Sequence, residues 1–197
     1  MRLKKPLVLA SQSPRRIALL RQIGLSPRVM PSGLDEIFDL AKTPPENAMR
    51  LAHAKAVDVA QKVEEGIVVG ADTIVVLDGE YLGKPSNHSD AVRMLGLLSG
   101  RTHVVVTGVS IVDRPTNKSV TECEKTNVTF REIPRDEIEM YVSQGSPMDK
   151  AGAYGIQDDY GAVFVSRIEG CYYNVVGLPV SRFHSMLQEF SKQLDEH

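Results

Sequence analysis

The chain has 197 residues, 42% hydrophobic and 24% charged, the balance of a soluble globular domain and not of a disordered or low-complexity chain. Its formal net charge of −2 excludes affinity for a nucleic-acid polymer built on bulk phosphate neutralisation. No run approaches the ~20 apolar residues of a membrane span, and two distant cysteines, Cys123 and Cys171, speak against a disulfide framework or a structural zinc site and for a reducing, cytoplasmic setting.

Elements alternate in the way of an α/β protein. Residues 7–10 read as a short buried strand, too short for the core of a secretory signal and interrupted by Ser11, Gln12, Arg15 and Arg16. Ser13 is a good N-cap, Pro14 fits the first helical position, Ile17, Leu20 and Ile23 form a helical stripe, and Gly24 ends it. An extended stretch through Val29 leads to a turn-rich segment with Asp35 and Glu36. Thr43-Pro44-Pro45-Glu46 has capping-box spacing. The helix it opens is expected to bury Met49, Ala52, Ala56, Val59 and Val63, with Lys55 at the border of that face and its ammonium reaching outward.

Residues 67–77 give the strongest strand signal, closed by the turn pair Asp78-Gly79. A helix over 86–98 follows, with Gly100 as its stop. Long strands are predicted over 102–112 and 120–133, separated by Arg114-Pro115-Thr116-Asn117, then a helix over 136–144. Residues 161–168 and 171–176 read as a hairpin about Glu169-Gly170, and Val180, Phe183, Leu187, Phe190 and Leu194 mark a last helix. There is no internal repeat and no linker, so residues 1–197 are expected to form a single domain.

The familiar nucleotide and metal motifs are absent: no GxxxxGK[ST], no GxGxxG opening a helix, no HExxH and no GxSxG. One strand is odd. Val68-Val69-Gly70-Ala71-Asp72-Thr73-Ile74 places an acid inside an apolar run, expensive to bury unless paired, hydrogen-bonded or bound to a cation. Gly70 beside it leaves room for close approach. On residues alone, Asp72 is either a functional acid or the solvated end or turn of a strand. Ser11-Gln12-Ser13-Pro14-Arg15-Arg16, between a strand and a helix, is either a phosphate cradle or a capped helix with solvated arginines. Lys84-Pro85, Asp149-Lys150 and the acids Asp35-Glu36 are weaker singly. Together, cations, a carboxylate set for a divalent ion and one acid in a tight site are what hydrolysis of a polyphosphate requires.

These segments, with Gly83-Lys84-Pro85, Ser99-Gly100-Arg101-Thr102-His103, Met148-Asp149-Lys150-Ala151-Gly152-Ala153-Tyr154-Gly155-Ile156-Gln157 and Val176-Gly177-Leu178-Pro179, stand in one order, and by them the chain resembles the Maf family of nucleoside triphosphate pyrophosphatases over nearly its whole length. The resemblance implies a two-lobed mixed α/β fold, with an elongated curved sheet flanked by helices and a cleft between the lobes, like the inosine triphosphatase group. It implies a hydrolase acting on acid anhydrides, a nucleoside triphosphate diphosphatase that cleaves between the α- and β-phosphates with Mg²⁺ or Mn²⁺ to give a monophosphate and pyrophosphate. By match to the family motifs, Asp72 is the base for water and, with Glu36, a metal residue. Arg15, Thr73 and Gln157 hold positions linked to substrate choice, and Ser11, Ser13, Arg16, Lys55, Lys84 and Lys150 line the phosphate site. The Ala-Asp-Thr and Gly-Ile-Gln forms resemble the branch acting on dTTP and UTP. After Gln157 this chain continues Asp158-Asp159-Tyr160, where the family usually has small residues. A homodimer is implied. The other reading carried by the resemblance is a nucleotide-binding regulator of septum formation with little turnover.

Overall fold

A computed structural model describes residues 3–157 and 160–195. Seven strands form one mixed sheet in the order β2-β1-β3-β5-β6-β7, with β4 paired to β3, and helices flank it. The chain divides into two compact units, residues 1–72, 107–124 and 177–197 in the first and 73–106 and 125–176 in the second. Among the described residues no helix is long and apolar enough to cross a membrane.

In the first unit, β1 (Leu7–Leu9) pairs in parallel with β2 (Arg28–Val29) and with the start of β3 (Gly66–Leu77). Helix α1 (Pro14–Gln22) begins as its sequence dictates, with Ser13 accepting the Arg16 N–H. At its end the Gly24 N–H bonds the Arg21 carbonyl and the Leu25 N–H bonds that of Leu20, with Gly24 left-handed at φ +77°, a Schellman cap. Helix α2 (Pro44–Ala60) opens with the Thr43 N–H donating to Glu46 Oε2 at 2.7 Å. The last helix of the chain, running Val180–Asp195, buries Phe183, Met186, Leu187 and Phe190, as its periodicity predicts.

Helix α2 lies against glycines. A Cβ on Gly70 of β3 would stand 2.2 Å from the Ala52 carbonyl oxygen and 2.7 Å from the Ala56 nitrogen; one on Gly108 would stand 2.2 Å from the Ala48 carbonyl oxygen. Ala48, Ala52 and Ala56 recur every four residues, so one small-residue row of the helix meets bare strand backbone. This rotation exposes Met49 more than its predicted inward place and buries Ala48, Leu51 and Lys55 instead.

The second unit holds the rest of β3, turned by Asp78-Gly79 at φ +50° and +85° into β4 (Glu80–Leu82) with Leu77 opposite Glu80, the two-residue turn that Asp-Gly encodes. Helix α3 (His88–Leu98) starts at its Asn87 cap, whose side chain accepts the Asp90 N–H. β5 (Thr102–Arg114) and β6 (Ser119–Phe130) fall close to their predicted bounds, as does α4 (Arg135–Ser143). The predicted 161–176 hairpin does not form. Residues Tyr160–Phe164 make a 3-10 turn, β7 (Val165–Glu169) pairs antiparallel with β6, and α5 (Tyr172–Val176) is a helix. The β-prone sequence Tyr-Tyr-Asn-Val-Val is overridden by two long-range ties. Thr126 Oγ1 on β6 accepts the Cys171 N–H at 3.1 Å, and buried Asn174 donates to the Val105 carbonyl and to Thr126 Oγ1, each at 2.9 Å.

An aromatic cluster fills this unit. The ring of His103 on β5 meets Phe130 and Tyr154 edge-on at centroid distances of 5.0 and 5.4 Å, and Phe130, Phe164 and Tyr141 continue the chain of contacts. His103 Nε2 lies 2.8 Å from Tyr154 Oη. Burial pulls the His103 pKa down from the usual 6.5 to about 4.

Two outcomes follow from this packing. Gly70→Ala drives a methyl into the α2 backbone and lowers stability by about 3 kcal/mol, read from urea unfolding midpoints. His103 stays neutral when folded but takes up a proton when unfolded, so it lends stability that is complete above about pH 6.5 and drains away as pH falls toward 4. The loss is on the order of 3 kcal/mol, and the pH-stability curve of His103→Phe lacks that slope.

Candidate active site

Gly70 and Asp72 lie two residues apart on β3 and so share one face. Because Gly70 lets α2 touch the strand between Ala52 and Ala56, Asp72 meets that helix in the same turn, at Lys55. The Lys55 ammonium donates to Asp72 Oδ1 and to Glu36 Oε1, both at 2.6 Å. Asp72 is 4% and Lys55 8% exposed, so neither of the alternatives of a solvated strand end or a turn at Asp72 holds. The expected outward course of Lys55 is also overturned: buried Asp72 and the exposed Glu36 together hold the ammonium more firmly than partial hydration at the helix border would.

Arg16 completes the cluster. Its Nε donates to the Gly177 carbonyl at 2.8 Å and its Nη1 to Ser11 Oγ at 3.1 Å, fixing the guanidinium at the base of α1. Ser11 Oγ also accepts the Ser13 N–H at 3.2 Å. Burial draws the Arg16 pKa down, opposed by the carboxylates of Asp72 and Glu36. Burial raises that of Asp72, opposed by Lys55 and then Arg16. The result is a desolvated carboxylate with more affinity for a proton than an ordinary aspartate, ringed by fixed positive charge.

The first unit therefore joins Ser11, Arg16, Glu36, Lys55 and Asp72. Ser13 serves the α1 cap, and Arg15 is half-buried in the first turn of that helix. Thr73, Lys84, Lys150 and Gln157 belong to the second unit. There the segments carrying Lys84 and Lys150 are tied by the Gly152 N–H donating to the Gly83 carbonyl at 3.0 Å, and Lys150 bonds Asp149 Oδ1 at 3.0 Å. Gln157 is half-buried; Asp158 and Asp159, the departure after it, lie outside the described residues. Among the described residues no three His, Cys, Asp or Glu side chains converge as a metal cluster; at this site two acids, Glu36 and Asp72, meet on Lys55. The residue reading missed Gly108, Gly177 and the His103–Tyr154 pair. Gly108 had a signal, since it interrupts an apolar strand as Gly70 does.

Removing the ammonium isolates the charge of Asp72. Lys55→Met lowers stability at pH 7 by about 3 kcal/mol. Without Lys55 the carboxyl pKa rises further above its unfolded value, so the deficit shrinks as pH falls and Asp72 protonates. Adding Asp72→Asn to Lys55→Met restores much of the loss in a double-mutant cycle of unfolding free energies.

The chain matches the Maf-like protein family over residues 6–190. It is 46% identical over 194 residues to a dTTP/UTP pyrophosphatase of Caldicellulosiruptor bescii, covering 96% of this chain and 97% of the relative. It is 50% identical over 179 residues to a protein of the same name from Syntrophomonas wolfei, covering 91% and 94%, and 47% identical over 186 residues to another from Pelotomaculum thermopropionicum, covering 94% and 97%. With the family matched from β1 into the last helix, this chain belongs to the Maf-like proteins.

Proposed function

We propose that this protein hydrolyses dTTP and UTP between the α- and β-phosphates, releasing the nucleoside monophosphate and pyrophosphate. The observation that carries the reading is the buried Asp72 carboxylate held by Lys55 beside Arg16 and Glu36, in a chain whose relatives bear the name dTTP/UTP pyrophosphatase. Four charged groups there balance as two cations and two anions. A triphosphate brings several further negative charges, so added cations must accompany it.

Asp72 takes the proton of the attacking water. Its burial favours proton uptake, while Lys55 and Arg16 favour the charged form that accepts one. The water oxygen forms its bond to phosphorus as the bond to the bridging oxygen breaks, and pyrophosphate leaves. Arg16, fixed by Gly177 and Ser11, offers an oriented guanidinium to phosphate oxygens, with Arg15 and Ser11 as further donors. Glu36 and Asp72 suit a divalent cation of the Mg²⁺ or Mn²⁺ type, because they are hard oxygen donors drawn to one point and such ions take only one or two protein carboxylates beside substrate phosphates. When bound, such an ion neutralises phosphate charge and polarises the phosphoryl group. At the base, Gln157 can donate to and accept from a pyrimidine edge, supplemented by the Thr73 hydroxyl, and a site built on such bonds rejects bases that leave them unpaired.

Turnover assays across natural triphosphates, with and without Mg²⁺ and Mn²⁺, test the reading. Expected are pyrophosphate as product, preference for dTTP and UTP, and loss of activity on chelation; orthophosphate as product would overturn it. Asp72→Asn lowers kcat by about 10²- to 10⁴-fold with an unchanged circular dichroism spectrum.

A further inference from the structure

We propose that His103 and Tyr154 are positioning residues whose mutual hydrogen bond sets the segment from Lys150 to Gln157. This rests on the roles of Lys150 and Gln157 given above. His103 is 1% exposed, in the aromatic cluster of the second unit. Its Nε2 lies 2.8 Å from Tyr154 Oη, while its Nδ1 has no hydrogen-bond partner among the described residues. A neutral imidazole carries one N–H and one acceptor nitrogen, so either tautomer leaves one polar function unsatisfied. Phenylalanine would fill the space beside Phe130 without that penalty. What the imidazole adds is a directional bond to one phenol.

That phenol lies four residues after Lys150 and three before Gln157. The intervening backbone is strained: Gly152 and Ala153 are both left-handed, at φ +71° and +61°, and for alanine this conformation is unfavourable. Such a geometry persists only where the surroundings over-determine it. Three anchors do so. The Gly152 N–H is held by the Gly83 carbonyl, a Cβ on Gly152 would lie 3.1 Å from Val75 Cγ1, and Tyr154 is held by His103. The first two fix the front of the segment; the His103–Tyr154 bond alone of the three fixes the half leading to Gln157. Burial holds the Tyr154 phenol protonated and the imidazole neutral, so the bond persists through the neutral pH range.

Tyr154→Phe and His103→Phe remove the bond at nearly constant volume. Amide hydrogen exchange of the variants without nucleotide is expected to quicken within 150–157 and stay unchanged in α3, α4 and the strands. The ratio of kcat/KM for dTTP over dCTP is expected to fall about tenfold, and the double variant to be no worse than either single one. His103→Gln, which keeps a polar group toward Tyr154, restores part of the ratio. Unchanged exchange in 150–157, or quickened exchange throughout the unit, overturns the proposal. If the wild-type chain lacks turnover of dTTP and UTP, the activity reading falls, while the exchange experiment still decides the positioning role.

Discussion

One ammonium between two carboxylates organises the first unit. Lys55 can reach Asp72 only because α2 touches β3, and α2 touches β3 only because position 70 has no side chain. The site thus depends on an absence: a methyl at Gly70 would lift the helix and lengthen a 2.6 Å bond. Gly108 repeats the device on β5 under Ala48, so the helix is seated at two points a turn apart and cannot rock about one. A buried ion pair contributes little net stability once desolvation is counted, and its presence here is better understood through what it does to Asp72.

That effect is a balance of opposed terms. Burial alone raises the Asp72 pKa and favours its neutral form, which accepts no proton; full pairing in solvent would favour the charged form but make it a weak base. Desolvation raising its pKa, with Lys55 and Arg16 pulling the other way, holds the carboxylate between these limits. Arg16 is itself drawn down by burial and supported by the same carboxylates, so the cations and the acids of the cluster sustain each other's charge. The Gly177 carbonyl and Ser11 hydroxyl hold the guanidinium in one orientation.

Much of the local structure was legible because its causes are local. Ser13-Pro14, Thr43 with Glu46, Gly24 and Asp78-Gly79 each announce a cap or turn through chemistry contained in four or five residues, and each forms. Asp72 was legible as an anomaly, since a charge in an apolar strand demands a partner, but the partner was not. Lys55 lies 17 residues earlier, and a helical wheel cannot tell whether a border lysine turns to water or to a carboxylate on a strand. The missed helix at Tyr172–Val176 has the same origin. Its deciding bonds, from Asn174 to Val105 and Thr126, span 69 and 48 residues, and no window on sequence contains both ends. The identities of the site residues came from resemblance to a family, and geometry joins five of them, Ser11, Arg16, Glu36, Lys55 and Asp72, in one connected cluster.

The two units solve different problems, and their materials differ accordingly. Around Asp72 the difficulty is to keep charge out of water without neutralising it, and the means are small residues for close approach and ion pairs of opposite sign. Around Tyr154 the difficulty is to hold backbone in a conformation it would not choose, and the means are aromatic packing, one unsatisfied imidazole and a glycine pressed on Val75. Electrostatic work tolerates a flexible lysine stem, because an ammonium finds its carboxylate over a range of angles. Recognition by an amide does not, since both its donor and its acceptor must meet a base edge at once. On the proposed function, the stiffer scaffold therefore serves Gln157 as a base reader, and the charged one serves Asp72 as the acceptor of a proton.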